Sequence, residues 1–163
     1  MNNNGKDGFT LGLAVFDALP VLLFSASILI ITMRFRPLLF VIGAVICAAA
    51  GTGKVLWKLI MALKGRDVMI LAKQFRFLMP AGFLLIALSV IFAAGSLDIK
   101  ALVREIASFP QMIFFCLFFL TVIYMTWLGK HMDQNDASVN WKEQTVNTAA
   151  QLFLFIGILL CIF

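Results

Sequence analysis

Long apolar runs alternate along the chain with short clusters of charged residues. A helix needs about 20 mainly apolar residues to cross a hydrocarbon core that is roughly 30 Å thick. Five runs are of about this length: 9–32, 37–57, 77–95, 109–128 and 146–163. The pattern therefore predicts an all-α, polytopic membrane helix bundle with five transmembrane helices, folded as a single membrane domain over residues 1–163. Four helices are the alternative, because the last run is the shortest.

The connection between the third and fourth runs has a helical pattern of its own. Its apolar residues follow the i, i+3, i+4, i+7 spacing of one helix face, and they are Ile99, Leu102, Val103 and Ile106. The charged residues occupy other positions: Asp98, Lys100, Arg104 and Glu105. This pattern is typical of an amphipathic helix that lies on a membrane surface. We expect a short interfacial helix here, on the outer side.

Composition and charge agree with a membrane protein. Hydrophobic residues make up 63% of the chain, and the net charge is +5. Lys and Arg flank the apolar runs instead of forming a basic face, which argues against nucleic acid as a partner and indicates membrane orientation. With the amino terminus inside, nine Lys and Arg residues lie on the inner side and four on the outer side. We therefore expect a location in the cell membrane, of the prokaryotic inner-membrane type, with the N-terminus cytoplasmic and the C-terminus outside.

Short stretches that resemble catalytic motifs lack the surroundings that the chemistry needs. The sequence from Gly51 to Lys54 is Gly-Thr-Gly-Lys, but a phosphate-binding loop requires glycine where this chain has Ala48 and Ser or Thr where it has Val55. A single histidine, His131, cannot provide paired haem ligands, and no nucleophile has a neighbouring base in the sequence. The cysteines occur singly in apolar runs: Cys47, Cys116 and Cys161. We expect no enzyme activity, no metal and no cofactor.

The second apolar run carries a face of small residues. Gly43, Cys47 and Gly51 recur every four residues, a spacing that lets two helix backbones approach closely in lipid. We expect this face to pack against another helix, in the same bundle or in a second copy. Our leading functional hypothesis is therefore a non-enzymatic accessory or assembly subunit, whose partners are the lipid bilayer and either itself or another membrane protein.

Polar residues within the apolar runs are confined to the inner half of the predicted bilayer. Asp17 lies about eight residues into the first run, where a carboxylate needs a partner, and we expect Lys54 to be that partner. Pro20 predicts a bend just beyond the acid. Tyr124 lies at a similar depth on the fourth run. Four amides share one face of the last helix: Asn140, Gln144, Asn147 and Gln151.

These polar residues support an alternative function, a small-solute transporter or ligand-binding membrane protein with an inward-facing pocket. The candidate ligand-binding residues are Asp17, Lys54, Tyr124, Asn147 and Gln151. Because the outer half is nearly bare of polar groups, an open channel is disfavoured. The two hypotheses differ in what separates Asp17 from Lys54: a close-packed interior favours the accessory subunit, and a cavity favours ligand binding.

Overall fold

Seven helices account for most of the residues that the structure, a computed structural model, describes: 11–95, 97–132 and 137–162. They are α1 (Leu11–Phe16), α2 (Ala18–Arg34), α3 (Leu38–Lys64), α4 (Met69–Ala93), α5 (Ile99–Ile106), α6 (Gln111–His131) and α7 (Ala137–Ile162). No strand occurs in these ranges. The predicted all-α class is confirmed.

Four helices, α3, α4, α6 and α7, are long and apolar enough to cross a membrane. The predicted membrane helix bundle is therefore confirmed. The first predicted run is divided at Asp17, which leaves α2 with 17 residues, shorter than the other four. The number of spans, five or four, stays a prediction. The last run, which seemed the shortest, belongs to a helix of 26 residues because the amide-rich stretch before it is also helical.

The α3–α4 hairpin extends further than the apolar runs indicated. Helix α3 continues past Trp57 to Lys64 and ends at Gly65, whose φ of 60° lies in the left-handed region that favours glycine. The Gly65 N–H donates to the carbonyl of Met61 at 3.0 Å. The connection is held by Trp57, whose indole N–H donates to Asp67 Oδ1 at 2.8 Å. Residues 58–64 are therefore a continuous part of α3.

The amphipathic helix between the third and fourth long segments forms as predicted. Asp98 caps α5, since its side chain accepts a hydrogen bond from the Ala101 N–H at 3.0 Å. Leu102 and Val103 on its apolar side are exposed within the chain. Its position on a membrane surface stays a prediction.

The long helices form a row and not a closed ring. In the described residues α4 packs on α3, α3 on α2, α2 on α7 and α7 on α6, while α1 contacts α3. No extended contact joins α4 to α6, which stand at the two ends of the row. Helix α3 is the most buried of the four long helices. The bundle therefore has a closed interior around α3 and a cleft between its end helices.

The small-residue face of α3 lies at the closed interior. A Cβ atom on Gly43 would stand 2.7 Å from the carbonyl oxygen of Gly82 in α4, so the two backbones touch. Cys47 is fully buried, and its Sγ lies 3.8 Å from the carbonyl oxygen of Met79. Gly51 faces a different helix, because a Cβ there would lie 3.1 Å from Val21 of α2. Gly43 and Cys47 thus pack on α4, and Gly51 on α2, all within one chain.

At the other end of the bundle, α2 is tied to the end of α7. The Arg34 guanidinium donates to the carbonyl oxygens of Ile162 at 3.1 Å and Cys161 at 3.4 Å. It also lies 3.9 Å from Glu105 of α5. A cation at the C-terminus of a helix satisfies carbonyls that have no partner inside the helix. Arg34 therefore joins α2, α5 and α7 at one end of the molecule.

Candidate functional site

A cavity of about 350 Å³ lies between the end helices of the row, and α2, α3 and α7 complete its wall. This volume falls within the roughly 300–1,000 Å³ of small-molecule sites. The polar side chains that line it are Asp17, Lys54, Gln144, Asn147 and Gln151. Four of the five predicted ligand-binding residues therefore meet at one place, together with Gln144 from the predicted amide face.

Asp17 is held by an ion pair with Lys58. Its Oδ2 lies 2.8 Å from Lys58 Nζ, and the side chains of Asp17 and Lys58 are only 7% and 9% exposed. The prediction that Lys54 is the partner of Asp17 was wrong, because the partner is Lys58, one helical turn further along α3. The error has a clear cause: the apolar run stops at Trp57, so Lys58 was placed outside the span, whereas α3 carries it to the level of Asp17.

The break between α1 and α2 places Asp17 at this position. Proline has no N–H, so Pro20 cannot donate to the carbonyl of Phe16, four residues earlier, and α1 ends at that residue. Asp17 occupies the turn between the helices, one turn earlier than the predicted bend. The discontinuity brings a carboxylate into the bundle where Lys58 can reach it.

Lys54 lies one turn before Lys58 on α3, and its surroundings are different. Its ammonium stands over the ring of Phe75 in α4, 4.5 Å from the centroid, a cation–π contact. Within the described parts of the chain, no carboxylate oxygen lies within 4.0 Å of its Nζ. Asp17 and Glu143 are near enough to attract it, and Lys58 repels it. Lys54 is thus a cationic group of the cavity wall without an ion pair.

Two amides on the α7 side also lack partners. The side-chain oxygens of Gln144 and Gln151 are buried and accept no hydrogen bond from the described residues. Gln144, Asn147 and Gln151 recur at i, i+3 and i+7, so they share the face of α7 that lines the cavity. A buried acceptor without a donor costs about 1–3 kcal/mol. Both oxygens have almost no accessible surface, so it is through their other atoms that these residues line the cavity.

The remaining walls are aromatic and aliphatic. They include Phe24, Phe75, Met79, Phe83 and Met125. The rings of Phe24 and Phe83 lie 6.1 Å apart and tilted, which links α2 to α4 at the end of the cavity away from Asp17. Phe83 is 48% exposed. The apolar wall therefore continues from the cavity to the outer surface of the bundle.

Tyr124 is not among the residues that line the cavity, and its role in ligand binding stays a prediction. The side chain is 50% exposed and stacks on Trp127 at a centroid distance of 6.1 Å. Trp127 stacks in turn on His131 at 4.9 Å. Tyr124 was predicted from its depth in the bilayer, and depth does not determine which side of α6 a residue occupies. It is Met125, the next residue, that reaches the cavity.

In the described residues no group of three or more His, Cys, Asp or Glu side chains comes together. The three cysteines are free thiols at separate positions.

No protein family, curated protein or solved structure gives a significant match to the chain.

Proposed function

We propose that this protein is a non-enzymatic, ligand-binding integral membrane protein, a receptor or transporter, which binds a small molecule in the cavity between α4 and α6. The observation that carries the proposal is that Lys54, which has no ion pair in the described residues, lines one cavity together with Gln144, Asn147 and Gln151. In our proposal the cavity opens toward the cytoplasm of a cell in whose membrane the protein lies, because Asp17 and Lys54 belong to the end that we predict to be inside.

The contrast with Asp17 supports a binding role for these groups. Buried polar groups that serve only the fold are almost always hydrogen-bonded, as Asp17 and Lys58 are. Polar groups within a membrane are costly and generally face a partner or a water-filled space. An ammonium that lines a cavity, and has no ion pair in the described residues, is typical of a contact kept for a ligand.

The accessory-subunit hypothesis rested on the small-residue face of α3. Those residues contact α4 and α2 of the same chain, so they give little support for a second protein at that face. A complex would instead use the outer faces of α4 and α6, which are the least buried of the long helices. Lipid satisfies the same apolar surface. Ligand binding is therefore the function that we favour.

The experiment that tests this proposal measures stability without any ligand. If Gln144 and Gln151 serve binding, replacing either with leucine removes a buried unpartnered oxygen, and the apparent melting temperature in maltoside detergent stays unchanged or rises. Gln111 is the matched control, because its Nε2 donates to the Leu160 carbonyl at 2.9 Å. Gln111→Leu breaks this contact between helices and should lower the melting temperature by a few degrees.

The result that contradicts the proposal is equally definite. If Gln144→Leu and Gln151→Leu lower the melting temperature as much as Gln111→Leu, the amides hold the fold together. The cavity would then be a packing defect, and the accessory-subunit hypothesis would return to first place.

A further inference from the structure

We infer that the outer surface of α4 binds the head groups of anionic phospholipids, at a site formed by Lys73 and Arg76. This surface lies outside the cavity, so the site is independent of the proposed function. The distribution of Lys and Arg along the chain predicts which side of the membrane this end occupies, but it does not predict the lipid that surrounds it. The lipid class follows from the direction, the depth and the unbalanced charge of this surface.

The two cations lie on the side of α4 that faces away from α3. Gly82 is in direct contact with α3, because a Cβ there would stand 2.9 Å from a backbone oxygen of that helix. Lys73 precedes Gly82 by about two and a half helical turns and therefore lies on the opposite side of α4. Lys73 and Arg76 are exposed, and their neighbours on this face, Ile70 and Phe77, are 80% and 72% exposed. In a membrane this face meets lipid.

The depth of the two cations matches the head groups of one leaflet. Residues 77–97 include no charged side chain, and about 20 such residues cross the hydrocarbon core. Arg76 is the last charged residue before this stretch, and Lys73 lies about 4.5 Å further out along the helix axis. The head-group layer is roughly 5–7 Å thick on each side of the core. Both cations therefore lie at the level of the lipid phosphates.

The protein does not balance the charge of this surface. In the part of the chain that the structure describes, no carboxylate oxygen lies within 4.0 Å of a side-chain nitrogen of Lys73 or Arg76. Helices α3 and α4 contain no acidic residue. Asp67, in the turn between them, accepts a hydrogen bond from the Trp57 indole. A lipid phosphate would supply charge-assisted hydrogen bonds to both cations.

The unbalanced charge also distinguishes between classes of phospholipid. Phosphatidylcholine brings a quaternary ammonium together with its phosphate, so its head group has no net charge and adds a cation to a surface that already has two. Phosphatidylglycerol brings the phosphate alone. Each Lys or Arg close to an anionic membrane surface strengthens the attraction about fivefold. We therefore expect the site to prefer phosphatidylglycerol over phosphatidylcholine by roughly thirtyfold.

Two other cations of the α3–α4 hairpin provide a matched control. Lys64 and Arg66 are also exposed, and they carry the same charge. The Lys54 ammonium stands over the Phe75 ring, and Lys64 follows Lys54 on α3 by about 15 Å along the axis. Lys64 therefore lies well outside the level of Lys73. The Debye length is about 8 Å at physiological ionic strength, so attraction across this distance is strongly screened.

The test is a titration of the purified protein, in an uncharged detergent, with dioleoyl phosphatidylglycerol or dioleoyl phosphatidylcholine, followed by native mass spectrometry. The double variant Lys73→Gln with Arg76→Gln should lose most of the preference for phosphatidylglycerol. Lys64→Gln with Arg66→Gln should retain it within about threefold. The exchange of Lys73→Arg with Arg76→Lys preserves both charges and should also retain it. Unchanged melting temperatures of the three double variants show that they are folded.

Several outcomes would overturn this inference. Equal binding of the two lipids by the unchanged protein excludes a preference for anionic head groups. Equal losses in the two glutamine double variants would assign the preference to the overall charge of the hairpin, and no loss in either would place the lipid elsewhere on the protein. If glycerol 3-phosphate displaces phosphatidylglycerol, the site takes a soluble phosphate ester. Displacement by polyglutamate would instead indicate an acidic protein segment as the partner.

Discussion

The two sides of α4 differ in how closely they pack: one side lies directly on α3, and the other side lines a cavity. On one side it meets α3 through Gly43, Cys47 and Gly82, so closely that no space for a Cβ atom remains. On the other side its aromatic side chains line a cavity with α6 as the opposite wall, and it touches α2 through the rings of Phe83 and Phe24. The closed side fixes the position of α4 relative to α3. The open side leaves Lys54, in the cavity wall, without an ion pair in the described residues.

Gly82→Leu tests the closed side and should have the largest effect. A Cβ at this position would stand 2.5 Å from Cys47 Sγ and 2.9 Å from the carbonyl oxygen of Gly43. Since the obstacle includes backbone, the helices must separate, and we expect a loss of about 3 kcal/mol or failure to fold. Unfolding in dodecyl sulfate measures this loss. Gly95→Leu is the control, because nothing lies within 4 Å of its Cβ position; equal losses in the two variants would disprove the tight seam.

The two lysines of α3 provide the next test. Lys58 forms a buried ion pair with Asp17, whereas Lys54 has no ion pair in the described residues. Lys58→Met leaves the Asp17 carboxylate buried without its partner, and we expect a loss of about 3–5 kcal/mol. Lys54→Met, one turn away, should change the free energy of unfolding by no more than about 0.5 kcal/mol.

Combining Lys58→Met with Asp17→Asn should recover most of the lost stability, since neither charge then remains alone. Denaturation of the single and double variants in dodecyl sulfate gives the coupling energy. Additive losses in the double variant, or equal losses in Lys54→Met and Lys58→Met, would remove the distinction between the structural and the binding lysine.

The smallest effect is expected at Tyr124, which lies outside both regions. Tyr124→Phe removes a hydroxyl from an exposed side chain and retains the ring that stacks on Trp127. We expect the free energy of unfolding in dodecyl sulfate to change by less than about 0.5 kcal/mol. A larger loss would show that the Tyr124 hydroxyl contributes to the fold.

The helices follow from the sequence, because lipid requires long apolar runs. Polar residues stand out in such runs, and Asp17, Lys54, Asn147 and Gln151, which line one cavity, were predicted in this way. The direction of each side chain around its helix was harder to predict. Tyr124 and Met125 are adjacent, and only the packing of α6 on α7 decides which of them faces the cavity.

Two further features depend on contacts between distant segments. The choice between Lys54 and Lys58 requires the length of α3, which continues through charged residues that a hydropathy pattern assigns to a loop. The gap between α4 and α6 is a property of the whole row of helices. No local sequence pattern indicates that two helices will not be in contact.

The clamp that Arg34 forms on α7 has a consequence for how the protein is made. Its acceptors, the carbonyls of Cys161 and Ile162, are synthesised more than a hundred residues later. Until then the first helices can contact only one another. They do so through the Asp17–Lys58 ion pair and through the close packing of α3 on α4. We therefore expect assembly in two stages: the α3–α4 hairpin forms first with α1 and α2, and the later docking of α6 and α7 completes the cavity.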